Sequence, residues 1–323
     1  MEQQDWRRAV LPCLPDSIRD MLACIPEEAP LEEIRLRAGQ PLELRFSGYD
    51  RLVYAPGGRP AVTAADCEET LRRISEHSIY AWEEELRQGF VTLPGGCRVG
   101  LCGRAVTGRT GILRLSDITG LCIRIAHACE GAGEALLPYL ADGAGRLAST
   151  LIVSPPGAGK TTLLRDIARL CSCGAPGLAP CRVFVVDTRY ELAGCVRGEP
   201  QFDLGPRTDV LSGCGKAEGI RMMLRAMSPE LIVVDELGTP LDIAAVLEAA
   251  GSGVQVLGGM HSGSAAMLQK RRSLSALLSS GLFSRYVILS RRQGPGTVEG
   301  VFDHALRQLV LREEATCRKS LPS

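Results

Sequence analysis

The chain has 323 residues, 45% hydrophobic and 23% charged, with zero formal net charge, so it is long enough for two domains and apolar enough for a packed core in each. No apolar run reaches the roughly 18 residues of a membrane helix, and the early acids exclude a secretory leader. The odd total of 13 cysteines without paired C-x-x-C spacing excludes a disulfide framework and predicts reduced thiols in a soluble, cytoplasmic protein.

In the N-terminal half, LEEIRLRAGQPLELRFSG predicts two short strands around a turn at Ala38 to Pro41. The spacing of Leu71, Ile74, Ile79 and Trp82 predicts a helix from about Ala64 to Gln88. GFVTLPGGCRVGLCGRAVTG alternates like a hairpin turned at Gly95-Gly96. Cys129 to Ser149 then resembles a hinge, with a helical piece at Ala135, Leu136, Leu137 and Leu140 between Gly/Ala-rich segments. These elements predict a small α+β domain with its hinge over residues 1–140, followed by a second domain over 141–323.

The rhythm changes downstream. STLIVS, RVFVVD, ELIVVDE, GVQVLGGM and RYVILS are short apolar runs separated by helical segments, the mark of parallel strands covered on both faces. The first run feeds SPPGAGKTT, Ser154 to Thr162, and then a helix whose face carries Leu163, Leu164, Ile167 and Leu170. Strand, Gly-bearing loop and helix in that order form the context of a phosphate-binding loop. Amides from Pro156 to Thr161 converge on phosphate oxygens, and Gly157 and Gly159 permit a backbone that a side chain would block. Ser154, Pro155, Pro156, Gly157, Ala158, Gly159, Lys160, Thr161 and Thr162 are thus the expected ATP-binding residues, with Lys160 on the β- and γ-phosphates and Thr161 on Mg²⁺. Ser154 replaces the first glycine of the pattern; it is small, and an ordinary dihedral there leaves the loop intact.

LIVVDEL then places Asp235 and Glu236 at a strand end, where an Asp holds a Mg²⁺ shell and an adjacent Glu polarises water. RVFVVDTRYELAG brings up Asp187, Arg189 and Glu191, and GVQVLGGMHSGSA brings up His261 as a γ-phosphate sensor beyond a strand end. Charge divides along the chain: residues 1–145 carry 16 arginines, no lysine and 21 acids, against 21 bases and 16 acids in 146–323. That polarity favours head-to-tail contact between copies. Without a basic tail or aromatic-basic interleaving, nucleic-acid binding receives no support.

Taken in order, EEIRLRAGQPLELR, GGCRVGLCGRAV, LCIRIA, SPPGAGKTTLLRDIARL, VVDTRYELAG, DLGPRTDVLSGCGKAEGIRMMLRAMSPELIVVDELG, GMHSGSA and FSRYVILSRRQGPGTVEGVFD resemble the type II/IV secretion ATPase superfamily, and within it a sporulation branch of endospore-forming bacteria. The resemblance spans nearly the whole chain and implies a RecA-like P-loop NTPase core, α/β in class, with a smaller N-terminal α+β domain. It implies a hexameric ring that couples ATP turnover to domain motion. The ring would serve membrane-anchored sporulation channel proteins from the mother-cell cytoplasm. It assigns Glu191 to an acidic box, Asp235 and Glu236 to metal and catalysis, His261 to a histidine box, and Arg98 and Arg124 to arginines that reach the nucleotide. Cys97 and Thr188 stand where the superfamily commonly has His and Glu; the second departure puts weight on Glu191 and Glu236 and points to slow turnover. Two rival readings remain open: a nucleic-acid-stimulated ATPase, and a nucleotide-gated scaffold with little hydrolysis.

Overall fold

The computed structural model describes residues 6–26, 29–55, 57–59, 61–75, 89–108, 111–126, 129–262, 277 and 280–309. They fall into two compact units, one from Met1–Ala128 with Gly194–Gln201, the other from Cys129–Ala193 with Phe202–Ser320.

In the first unit, α1 (Trp6–Val10) and α2 (Asp16–Leu22) precede three strands, β1 (Leu31–Arg37), β2 (Leu42–Phe46) and β3 (Tyr49–Val53). After α3 (Ala64–Ser75) come β4 (Phe90–Thr92), β5 (Arg98–Gly108) and β6 (Gly111–Arg124). They form one antiparallel sheet in the order β3-β2-β1-β6-β5-β4. The expected β1–β2 pair and the hairpin at Gly95-Gly96 are both present. The sequence missed how far β5 runs on, pairing with β6 as far as Gly108↔Gly111. Val10, Leu14, Ile18, Ile34, Leu36, Leu44, Ile74, Val99 and Ile123 share the core beneath the sheet. The start of α3 is fixed by reciprocal caps: the Asp66 amide donates to Thr63 Oγ1 (3.1 Å), and the Thr63 amide donates to Asp66 Oδ2 (2.8 Å). Ser17 Oγ donates to the other carboxylate oxygen at 2.7 Å and ties α2 to α3. Of the helix expected to Gln88, the part bearing Ile79 and Trp82 lies outside the described residues.

The second unit opens with the short α4 (Leu137–Leu140) at the helical piece expected there. Asp166 accepts from the amides of Gly131 and Gly133 (3.2 and 2.7 Å), which fastens the head of this segment to α5 (Lys160–Cys173). The remaining elements are β7 (Thr150–Ser154), β8 (Val183–Asp187), β9 (Thr208–Ser212), α6 (Lys216–Ala226), β10 (Leu231–Val234), α7 (Pro240–Gly251), β11 (Gln255–His261), β12 (Arg285–Ser290), β13 (Thr297–Asp303) and β14 (Gln308–Leu309). The sheet order is β14-β13-β12-β7-β11-β10-β8-β9, parallel from β12 to β9 and antiparallel at β13 and β14.

All five apolar runs named from the sequence are central parallel strands, and β7, β8 and β10 are buried along their whole length. Successive side chains on a strand face opposite ways. A Cβ on Gly258 would meet Leu151, Leu237 and Phe283, whereas one on Gly259 would meet Leu164 of α5. Leu151, Leu237 and Phe283 belong to the core shared with Ile220 and Met223 of α6 and Ile243 and Val246 of α7. Helices therefore cover both faces, as a two-sided parallel sheet requires. Among the described residues every cysteine is free, and no helix is long and apolar enough to cross a membrane.

Candidate functional site

The carboxyl ends of β7, β8, β10 and β11 lie along one edge of the sheet, and every polar residue singled out in the C-terminal half lies at one of them. β7 ends at Ser154, which is fully buried and not among the residues with positive φ. Serine is therefore compatible with the first loop position. Gly157 and Gly159 do need to be glycine: their φ values are +70° and +86°. A Cβ on Gly159 would also stand 3.0 Å from the amide of Gly296.

α5 begins at Lys160, so that its first turn presents Lys160 and Thr161 to the loop. The Lys160 ammonium is ion-paired with Asp235 Oδ1, and Thr161 Oγ1 donates to Asp235 Oδ2 at 2.7 Å. Two strand ends some 75 residues apart in the chain thus meet on one carboxylate. Gly259 on the intervening strand β11 makes the room, because a Cβ there would lie 2.7 Å from Asp235 Oδ1 and 3.1 Å from Lys160 Cδ. Lys160 is only 4% exposed. Burial pulls its ammonium down to about 8, against the opposing pull of Glu236 and Glu191.

Glu236 has a φ of +58°, a left-handed backbone that a non-glycine residue adopts at a cost. Its Oε2 is paired with Arg189 Nη1 at 2.5 Å, and its Oε1 lies 3.8 Å from His261 Nε2. The Nδ1 of His261 is 3.4 Å from the carbonyl oxygen of Ser154. His261 therefore stands between the head of the loop and Glu236. Glu191 lines a cleft together with Thr188, Arg189, Lys216, Asp235 and Glu236. The turn that carries it is clasped from two sides. Asp187, 2% exposed, accepts from the amides of Glu191 (2.9 Å) and Ala193 (2.8 Å). Burial nonetheless holds the Asp187 carboxyl above its ordinary value. Arg165 donates to the carbonyls of Glu191 and Leu192, both at 2.8 Å, and stacks on Phe202 at 3.5 Å. Its own burial lowers it to about 10.

Arg98 and Arg124 belong to the other unit. They are direct cross-strand partners on β5 and β6, and Glu33 pairs with Arg124 across β1. Arg98 lies over the Phe90 ring at 3.6 Å, and Arg124 reaches Glu33 Oε2 at 3.7 Å. Two like charges opposite each other are unfavourable unless an acid accompanies them, and Glu33 is that acid.

Sequence reasoning missed three features of this site: the engagement of Arg189 with Glu236, the room left by Gly259, and the presence of Lys216 in the cleft. A signal for Lys216 was available: the chain has four lysines against 33 arginines, and two of the four stand here. Chemically, the arrangement offers loop amides and a buried ammonium for a polyanion. Thr161 and Asp235 offer oxygens for a hard cation, and Glu236 offers a carboxylate able to polarise water.

A sequence profile described as "Sporulation stage III, protein AA" matches residues 4–309. The chain is 46% identical over 292 residues to the stage III sporulation protein AA of Bacillus subtilis (strain 168), covering 90% of this chain and 93% of that one. Among solved structures, the Legionella pneumophila ATPase DotB superposes with a TM-score of 0.53 at 15% identity, covering 80% of this chain and 72% of its own. The pilus retraction motor PilT with bound ADP gives 0.52 at 15% identity, covering 85% and 78%. At these identities the likeness is one of fold, a RecA-like core with a smaller N-terminal domain.

Proposed function

The chain belongs to the sporulation stage III protein AA family, and on that premise we propose that it is a Mg²⁺-dependent ATPase that drives a secretion-like channel during endospore formation. One observation carries the reading: Lys160, Thr161 and Asp235 meet at the mouth of a loop with two left-handed glycines. The residues present fit a magnesium nucleotide. Gly157 and Gly159 hold the left-handed backbone that turns the loop, and Thr188 Oγ1 is a buried hydroxyl without a hydrogen-bond partner among the described residues, in the neighbouring cleft. The two solved structures of like fold are an ATPase and a motor holding ADP, which agrees with the reading.

In this account the amides from Pro156 to Thr161 hold the β- and γ-phosphates and Lys160 neutralises them. Thr161 and Asp235 would hold Mg²⁺, which when bound screens the phosphate charge. The Lys160–Asp235 pair opens as the ammonium turns to phosphate. Glu236 takes a proton from the attacking water while His261 and Glu191 border the γ-phosphate. Arg124 leaves Glu33, and Arg98 its stack on Phe90, for the nucleotide, and their release after hydrolysis lets the two domains part. In a ring of identical subunits, placed by the mother-cell membrane through membrane-anchored channel proteins, that parting becomes work. Mass measurement of the purified chain should show the ring forming with a non-hydrolysable ATP analogue; a monomer with and without the analogue would contradict it.

A second reading, a nucleotide-gated scaffold with little hydrolysis, draws on the Arg189–Glu236 pair. The guanidinium occupies a carboxylate oxygen that a water would need, until a γ-phosphate competes for the cation. Arg189→Ala is therefore expected to raise phosphate release by the isolated chain several-fold at saturating ATP. An equal fall would instead make Arg189 a contact to the γ-phosphate.

A further inference from the structure

The motif SRRQGPGT, Ser290 to Thr297, takes no part in the site described so far, yet the fold sets it against the phosphate loop. β12 lies parallel to β7 with Ile288 beside Val153. Three residues further along both strands, the chain beyond β12 is level with Pro156. There the turn between β12 and β13 closes on the loop. The Gly296 amide donates to the carbonyl of Ala158 at 3.0 Å, and the same amide is what a Cβ on Gly159 would strike. The first residue of that turn, Arg291, brings its guanidinium over Gly157: a Cβ placed on Gly157 would lie 3.5 Å from Nη1 and 3.8 Å from Cζ.

Arg291 and Arg292 are adjacent in sequence but differently engaged. Arg292 is paired with Glu299 at 3.1 Å, on the next strand, whereas no ion pair of Arg291 is found among the described residues. A guanidinium with its charge uncompensated, laid against the glycine of an anion-binding loop, is placed to bind the same anion. Its position also selects which part of the anion it meets. Asp235, Glu236 and His261 lie on the β10 and β11 side of β7, and Arg291 lies on the β12 side. Lys160 and Asp235 mark the reacting end of the triphosphate; the opposite flank of the loop belongs to the end that does not react.

We propose that Arg291 is a nucleotide-binding residue, its guanidinium donating to the phosphate nearest the ribose, so that it holds ATP and ADP alike without entering the hydrolytic step. The proposal rests on the nucleotide reading of the loop and adds a contact from outside the motifs that define it. A contact made equally to substrate and product lowers both dissociation constants and leaves kcat unchanged.

The experiment measures dissociation constants of N-methylanthraniloyl ATP and ADP by fluorescence on the full chain, with kcat from phosphate release. The forms compared are wild type, Arg291→Ala, Arg291→Gln, Arg291→Lys and Arg292→Ala, each checked by thermal melting. Arg291→Ala and Arg291→Gln are expected to weaken both nucleotides about tenfold, the loss of one charge-assisted hydrogen bond. Arg291→Lys should recover part of the loss, kcat should stay within twofold, and Arg292→Ala should bind as wild type does. The glutamine variant keeps length and polarity, so the comparison survives a misfolded alanine variant. Wild-type affinity in Arg291→Gln overturns the proposal, as does a loss confined to ATP with a matching fall in kcat. Wild-type chain that binds neither nucleotide overturns the ATPase reading itself, and this proposal with it.

Discussion

Glu236→Gln is expected to keep ATP binding within about twofold of wild type while cutting phosphate release by about 10²–10³-fold, the usual contribution of a positioned base. The substitution is isosteric and removes the negative charge together with the ability to take a proton. Because the left-handed backbone at residue 236 fixes where the side chain is presented, the amide occupies the place of the carboxylate. Its oxygen still accepts from Arg189, so the local packing persists. The two measurements needed are steady-state phosphate release and equilibrium binding of a fluorescent ATP analogue. Turnover within threefold of wild type would remove Glu236 from the mechanism and leave Glu191 as the carboxylate to test.

Lys160→Ala is expected to act earlier, on binding, with affinity for ATP reduced about 100-fold and phosphate release lost with it. It carries a second effect of separate origin. Lys160 is buried against Asp235, and removing one partner of a buried ion pair strands the other charge at a cost of about 3 kcal/mol. The variant should therefore unfold at lower denaturant as well as bind poorly. Lys160→Arg separates the two effects. It restores a cation beside Asp235 and most of the stability, but the planar guanidinium does not replace a compact ammonium inside the loop, so affinity stays low. Full affinity in Lys160→Arg would show that the site asks only for positive charge.

The parts of this protein legible in the sequence are those whose residues sit close together under a tight geometric demand. The loop from Ser154 to Thr162 and the helix face of Leu163, Leu164, Ile167 and Leu170 follow from local spacing alone. The buried parallel strands announce themselves as unbroken apolar runs. β9 does not, because it is a half-exposed edge strand; β13 does not, because Glu299 and Gly300 interrupt its pattern. Both are held by pairing with a neighbour and not by their own composition. The pairing of Arg189 with Glu236 was out of reach for another reason. Each residue follows the end of its own strand, and only the parallel register of β8 and β10 makes those ends neighbours. The turn bearing Arg291 lies inside the last block of the resemblance, but its chemistry depends on β12 lying beside β7, a fact of sheet order that spacing cannot express.

The central claim is that the ends of β7 and β10, flanking β11, close on one triphosphate and its metal. The most direct test is a structure of the full chain with a non-hydrolysable ATP analogue and Mn²⁺, the metal located by its anomalous scattering. The account predicts one manganese between Thr161 Oγ1, Asp235 and the β- and γ-phosphates, with Lys160 turned from Asp235 to the phosphates and Glu236 facing the γ-phosphate. A triphosphate bound elsewhere, with Lys160 still closed on Asp235, would contradict it.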